Sequence, residues 1–249
     1  MIRFDIKNSV KKNVFMKTMQ NSTPSGQQQF DSRHDGDQHL ILSALKEIEQ
    51  SNEKTAVGLV NALFLSSTSH ALDKVCLNIF SRLGDEQSLR LLYKKYPTPE
   101  SVSISLLPFY IRAVGFLGGV EEYDLLARLT RTFWGMYRKE IITSFESIAR
   151  RSEQADVSEL VAEALIGLYE AADDSERKQI VDMTAGMRNS LLLSTWLSAI
   201  ESEHAYLRRA AIPRLASSDR PAAARALHQA LRRETDEHVL VELENWLFP

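Results

Sequence analysis

Apolar residues recur at helical spacing along most of this chain, from about residue 40 to its end. In residues 40–50, four apolar residues follow the i, i+3, i+4, i+7 pattern of a helix with one buried face: Ile41, Ala44, Leu45 and Ile48. Residues 109–212 contain no proline, so nothing in that stretch must interrupt a helix. The pattern therefore predicts an all-α domain over residues 39–249.

The helical segments also repeat along the sequence. Five of them can be superposed, and each closes on an apolar residue at the same place: Leu83, Leu117, Ile148, Leu215 and Leu247. The intervals between these residues are 34, 31, 67 and 32, and Met183 lies near the position that the long interval skips. A period of about 32 residues in an all-α chain predicts an α-solenoid of about five to six helix pairs, which bury their apolar faces against one another.

Two of these segments resemble HEAT-like helical repeats of the short bacterial type. Residues 207–215 begin with Leu207 and Arg208, continue with alanines and close on leucine, like the second helix of such a repeat. Arg-Leu-Gly-Asp at residues 82–85 is similar to the turn between two repeats, where Gly84 would end a helix in the left-handed conformation. The resemblance implies a curved solenoid with a concave binding face, and it makes Arg208 part of a ladder between repeats.

The N-terminal segment, 1–38, differs from the rest. Four apolar residues recur every fourth position among lysines, as in a short amphipathic helix with a basic flank: Ile2, Ile6, Val10 and Val14. A frayed N-terminus is the alternative that the sequence leaves open. Residues 20–38 are rich in Gln, Ser, Gly and Asp and contain one large apolar residue, so we expect a flexible linker. The chain therefore divides into this segment and a repeat domain, 39–249.

Charge is distributed unevenly around a net value of −3. Residues 140–176 contain ten acidic side chains against two arginines, whereas residues 208–233 contain seven arginines against one aspartate. Opposite charges at the middle and at the C-terminal end would orient a charged partner.

The sequence indicates a cytoplasmic protein without a transmembrane segment. No apolar run approaches the roughly 18 to 20 residues that cross a bilayer, and lysines interrupt every apolar run between positions 1 and 20. Cys76 is the single cysteine, which excludes an internal disulfide. We expect no metal and no cofactor, because the potential ligands of the HDGDQH segment, residues 34–39, lie at the end of the linker without a rigid scaffold.

The candidate partner-binding residues are arginines and one tryptophan. Trp, Tyr and Arg are enriched at interface hot spots, and residues 131–139 contain all three types. The alternative is that Phe133, Trp134 and Tyr137 are core positions of one helix. For the C-terminal arginines, which would bind an acidic partner or phosphate, the alternative is a solvated polar face. The candidates are Arg131, Trp134, Arg138, Arg209, Arg214, Arg225, Arg232 and Arg233.

These features favour a non-catalytic protein-binding scaffold or adaptor. No nucleotide-binding, zinc-protease, serine-hydrolase or kinase motif is present, so no catalytic residue is expected. The resemblance permits an immunity, chaperone or assembly-factor role with a protein partner. It also permits a less favoured alternative, a nucleic-acid-binding protein or a DNA glycosylase-like enzyme. Trp134, Trp196 and Trp246 are spread over the array, however, and the acidic middle would repel a phosphate backbone.

Overall fold

The structure, a computed structural model, describes residues 33–51, 54–133, 135–152 and 155–248, with side chains from residue 39 onward. This part of the chain contains thirteen α-helices and two short strands. They are α1 (Arg33–Ser51), α2 (Val57–Ser66), α3 (His70–Leu83), α4 (Glu86–Lys95), α5 (Leu107–Leu117), α6 (Tyr123–Thr132), α7 (Arg138–Arg151), β1 (Ala155–Asp156), α8 (Glu159–Ala171), α9 (Asp174–Met183), β2 (Met187–Arg188), α10 (Leu193–Ile200), α11 (Ala205–Ala216), α12 (Pro221–Arg233) and α13 (Glu237–Leu247).

The helices form two layers. The odd-numbered helices, α1 to α13, pack side by side in chain order and form what we call the odd layer. The even-numbered helices, α2 to α12, form the even layer, and each of them packs against the odd helix that follows it in the chain. The chain is therefore an α-solenoid of six helix pairs, preceded by α1, which packs on α3. Each pair buries apolar faces that it could not cover alone.

The repeat length expected from the sequence is confirmed. The odd helices that close the six pairs end at Leu83, Leu117, Arg151, Met183, Ala216 and Leu247, so successive ends are almost evenly spaced along the chain. Met183 ends the helix that lies in the long interval of the sequence pattern. Strands β1 and β2, which follow the third and fourth pairs, are joined in parallel, so neighbouring repeats also meet through their connecting turns.

A continuous apolar core lies between the two layers. Aromatic side chains fill its wider parts: Phe64 meets Phe80 edge to face with ring centroids 5.0 Å apart, and Tyr123 stacks on Phe145 at 5.6 Å. Each of these contacts joins helices from the two layers. Packing of this kind fixes the helix pairs relative to one another and so positions the surface of the solenoid.

Gly84 does not adopt the left-handed conformation expected for it. Its φ is −57°, and a glycine is needed there for a different reason. A Cβ at this position would lie 2.8 Å from the Cδ2 atom of Leu117 and 2.8 Å from the carbonyl oxygen of Phe80. The prediction of a left-handed cap is therefore wrong, and the close approach of the next repeat explains the residue.

Phe133 and residues 135–137 lie outside the helices, because α6 ends at Thr132 and α7 begins at Arg138. Gly135 has a φ of +81°, which suits glycine. Phe133 and Tyr137 nevertheless pack against the core, with ring centroids 6.2 Å apart. The expectation of one shared helix is wrong, whereas core packing of these two rings is observed.

Helix α1 begins at Arg33, so the C-terminal end of the expected linker is helical. Leu45 is buried on this helix, and Ile41 and Ile48 pack beside it, as the apolar pattern predicted. Residues 1–32, with the expected amphipathic stretch and most of the linker, lie outside the described residues. The side chains of the HDGDQH segment up to residue 38 also lie outside them. None of the described helices combines the length and the apolar character needed to cross a membrane.

Candidate protein-interaction surface

The first two predicted arginines are paired within the chain. Arg131 on α6 contacts Glu163 on α8 at 2.5 Å, and Arg138 at the start of α7 contacts Glu176 on α9 at 3.0 Å. Arg138 also donates to the carbonyl oxygen of Ala171 at 3.1 Å. Both arginines therefore join one repeat to the next. Trp134 lies outside the described residues.

The C-terminal arginines divide into bound and unbound groups. Arg209 lies 3.6 Å from Glu242 and Arg233 pairs with Glu201. Arg214 donates to a backbone carbonyl oxygen on α9 at 3.5 Å, and burial lowers its pKa. Arg225 and Arg232 are exposed on α12 and have no ion-pair partner among the described residues. The predicted set is spread over both layers, so it does not form one surface.

Arg208 also joins one repeat to the next. Its Nε and Nη2 atoms donate to the two carboxylate oxygens of Glu234 at 2.7 and 2.6 Å, and Nη1 donates to the carbonyl oxygens of Ser202 and Glu203. The guanidinium lowers the pKa of Glu234 from its usual 4.5 to about 2. Arg208 is thus a structural residue, whose guanidinium is bound within the chain.

A groove crosses the outer face of the odd layer, and we call it the odd-layer groove. It has a volume of about 270 Å³ and runs over α3, α5 and α7, which belong to three successive repeats. Seven of its eight lining residues have polar side chains, although apolar atoms contribute most of the surface that they expose in the groove. The lining residues are Asn78, Ser81, Arg82, Arg112, Phe116, Thr143, Ser144 and Ser147. A partner lying in this groove would contact three repeats at once.

Cations lie over two aromatic rings in and beside this groove. The Nζ atom of Lys74 and the guanidinium carbon of Arg112 lie 4.9 and 4.7 Å from the ring centroid of Phe109. The guanidinium carbon of Arg151 lies 5.9 Å from the ring centroid of Phe116, a side chain that is 36% exposed. Arginine held against an aromatic ring is a combination found at interface hot spots.

The arginines of the groove are held to different degrees. Arg151, at the edge of the groove, donates to the carbonyl oxygens of Gly115 and Gly118 at 2.8 Å each, so its guanidinium is bound within the chain. Arg82 reaches Glu49 at 3.9 Å only, and Arg112 has no carboxylate partner among the described residues. Arg82 and Arg112 are therefore available to a ligand.

Helices α5 and α7 approach closely under the groove. The hydroxyl of Ser144 donates to the carbonyl oxygen of Ile111 at 2.9 Å, and a Cβ at Gly115 would overlap the side chain of Ser144. The glycine thus lets the two helices meet, and their contact fixes the spacing of the side chains above it.

The described tryptophans and the cysteine do not form a second site. Trp196, on α10 of the even layer, donates to the hydroxyl of Thr184 at 2.9 Å, while Trp246 is exposed on α13 of the odd layer. The two indoles lie in different layers and do not line a common groove. Burial raises the pKa of Cys76 to about 12, so its thiol stays protonated near neutral pH.

No family model and no curated protein matches the sequence. Among solved structures, an engineered protein aligns with 99% of this chain at 16% identity and a TM-score of 0.49, and the chain spans 65% of the length of that protein. A designed armadillo repeat protein in complex with the peptide (KR)4 aligns over 85% of this chain and 93% of its own, at 14% identity and a TM-score of 0.37. Both similarities concern the fold and leave the ligand of this chain open.

Proposed function

We propose that this chain is a non-catalytic protein-binding scaffold or adaptor, and that its partner docks in the odd-layer groove. The observation that carries the proposal is the groove itself, which spans three repeats and keeps two arginines available beside an exposed aromatic ring. Most of the arginines predicted from the sequence are instead engaged in contacts between repeats. An immunity, chaperone or assembly-factor role agrees with this kind of surface.

A protein partner fits the groove better than a nucleic acid does. Proteins that bind single strands offer aromatic rings on which bases stack, whereas cations of this chain already lie over Phe109 and Phe116. Helix α8 also carries three glutamates and no basic residue, which opposes a phosphate backbone in the middle of the solenoid. We therefore treat nucleic-acid binding as an outcome to be tested and not as the proposal.

The proposal extends to the repeat type and the cellular location. The ion pair of Arg208 with Glu234 of the next repeat, together with the nearly constant repeat length, supports repeats of the HEAT-like type. The buried, unpaired Cys76 agrees with a reducing compartment, and so with a cytoplasmic location.

Site-specific photo-crosslinking tests the proposal. A photoreactive amino acid replaces Thr143, which is exposed in the groove, or Ala224, which is exposed on α12 as the matched control. The tagged variants are irradiated in lysate of the source organism, with and without nuclease. We expect a nuclease-resistant protein adduct from the groove variant and none from the control. Recovery of nucleic acid alone, or equal adducts from both variants, would contradict the proposal.

A further inference from the structure

We infer that the odd-layer groove binds an acidic segment of the partner in an extended conformation, with Arg82 and Arg112 as the two residues that bind its carboxylates. This inference rests on the proposed function and adds the chemistry of the partner to it.

The charge of the groove points to an anionic ligand. Of the side chains that line it, two are arginines and none is acidic. Lys74 and Arg151 add two more cations at its edge, through their positions over Phe109 and Phe116. A planar guanidinium matches the two oxygens of a carboxylate, and such pairs are among the stronger hydrogen bonds in proteins.

Arg112 is the best placed of these cations. Its described contacts are the ring of Phe109 and one long hydrogen bond, 3.4 Å from Nε to the carbonyl oxygen of Pro108. A guanidinium has five N–H donors, so most of those on Arg112 remain for a ligand. The ring contact restricts the plane of the guanidinium, which lowers the entropy that binding would cost.

Arg82 offers a second, partly satisfied position on the neighbouring repeat. Its distance of 3.9 Å to Glu49 exceeds the roughly 2.7 to 2.9 Å typical of a charge-assisted hydrogen bond. Glu49 also accepts a hydrogen bond from Asn78, so this glutamate has another partner when Arg82 turns away. A carboxylate of the partner can therefore bind Arg82 without leaving Glu49 unpaired.

The spacing of the two arginines favours an extended segment. Neighbouring packed helices lie about 8–10 Å apart, and a chain in the extended polyproline II conformation advances about 3.1 Å per residue with three residues per turn, so that every third side chain points to the same side. Carboxylates at every third position would then reach Arg82 on α3 and Arg112 on α5. Uncharged polar side chains on both walls can pair with the free N–H and C=O groups of an extended backbone, which a helix would satisfy internally. These side chains are Asn78, Ser81, Thr143 and Ser147. Although Asn78, Ser81 and Ser147 already hydrogen-bond within the chain, each keeps a further donor or acceptor.

Fluorescence anisotropy with a designed peptide tests the inference. The probe is a fluorescein-labelled peptide of three Glu-Leu-Thr repeats, and its control has Gln in place of Glu. The variants are Arg82→Gln/Arg112→Gln and, with the same change of charge on α12, Arg225→Gln/Arg232→Gln. We expect the groove variant to bind the Glu peptide about tenfold or more weakly than the parent, because two charge-assisted hydrogen bonds are lost. The α12 variant should stay within about twofold of the parent, since exposed charges at a distance contribute little.

Three outcomes would overturn the inference: no binding of the Glu peptide to the parent protein, equal weakening in the two double variants, or equal binding of the Gln peptide. Thermal melting of both variants checks that each is folded. A labelled nine-nucleotide oligo(dT) that binds more tightly than the peptide, and depends on Arg82 and Arg112, would assign the groove to single-stranded nucleic acid instead. If Thr143 crosslinks to a protein but the Glu peptide does not bind, the scaffold function stands and only the acidic segment is refuted.

Discussion

Lys95 joins three helices of the first two repeats through a buried ion pair. Its ammonium group donates to the carbonyl oxygens of Phe64 and Ser67 at 2.6 and 2.8 Å and to the carboxylate of Asp73 at 2.6 Å. Asp73 is 2% exposed, and its second oxygen accepts a hydrogen bond from the hydroxyl of Tyr96 at 2.6 Å. All three N–H groups of the lysine are therefore used inside the protein.

Replacement of Lys95 by methionine should lower the free energy of unfolding by about 3–5 kcal/mol, the usual effect of removing one partner from a buried ion pair. Methionine keeps most of the packing of the lysine stem, so the loss comes from the unpaired charge of Asp73 and from the two carbonyl oxygens. A domain is stable by about 5–15 kcal/mol in total, so this change would be large. The double variant Lys95→Met/Asp73→Leu, which leaves no buried charge, should recover part of the loss.

Urea unfolding followed by circular dichroism measures these differences, provided that the slope of the transition stays constant. Lys94→Met is the matched control, because Lys94 is exposed on the same helix and its replacement should change stability by no more than about 0.5 kcal/mol. A loss below about 1 kcal/mol for Lys95→Met would refute the assignment of the pair as a stabilising contact. If Lys95→Met/Asp73→Leu is less stable than Lys95→Met, the buried charge of Asp73 is not the cause of the loss.

Three further predictions concern pH, packing and thiol reactivity. Because the folded-state pKa of Glu234 is about 2 and its usual value is 4.5, its carboxylate stabilises the fold above about pH 4.5, and this contribution disappears as the pH falls towards 2. Glu234→Gln should therefore lower the free energy of unfolding by about 2–3 kcal/mol at neutral pH. It should also weaken the fall of this free energy between about pH 4.5 and pH 2, and an unchanged fall in that range would contradict the prediction. Gly115→Ala should destabilise the protein by about 1–3 kcal/mol, because the added Cβ would overlap α7. Gly58→Ala should stabilise the protein by about 0.5–1 kcal/mol, because Gly58 has open space around it on α2. Thermal denaturation compares the two variants, and equal melting temperatures would contradict the steric argument. Cys76 should not react with a disulfide reagent at mildly alkaline pH until denaturant is added, and rapid modification of the native protein would show that the thiol is accessible.

The repeat architecture could be predicted because its signal is local. Each closing helix carries an apolar stripe of its own, so Leu83, Leu117 and Met183 mark helix ends in the sequence as they do in the structure. Gly84 shows where local reasoning fails. The turn motif suggested a left-handed cap, but the reason for the glycine is the side chain of Leu117, which belongs to the next repeat.

The candidate site was harder to predict because runs of charge do not reveal which charges are paired. When charges are counted along the sequence, the arginine-rich end and the acidic middle look like binding surfaces. In the solenoid, the partner of a charged residue often lies one repeat away, as Glu163 does for Arg131. Several arginines predicted from the sequence to bind a partner are therefore engaged in contacts between repeats.

The position of Arg112 within its repeat explains why it has no ion-pair partner among the described residues. In the register of Leu83, Leu117 and Ile148, the equivalent positions in the repeats before and after it are Asn78 and Thr143, which line the same groove, so neither neighbouring repeat supplies a carboxylate at that position. Arg82, by contrast, meets Glu49 of the preceding odd-layer helix, α1. Among the described residues, Arg112 is thus left without an ion pair although it lies in no charged run, whereas Arg131 meets Glu163 of the next repeat.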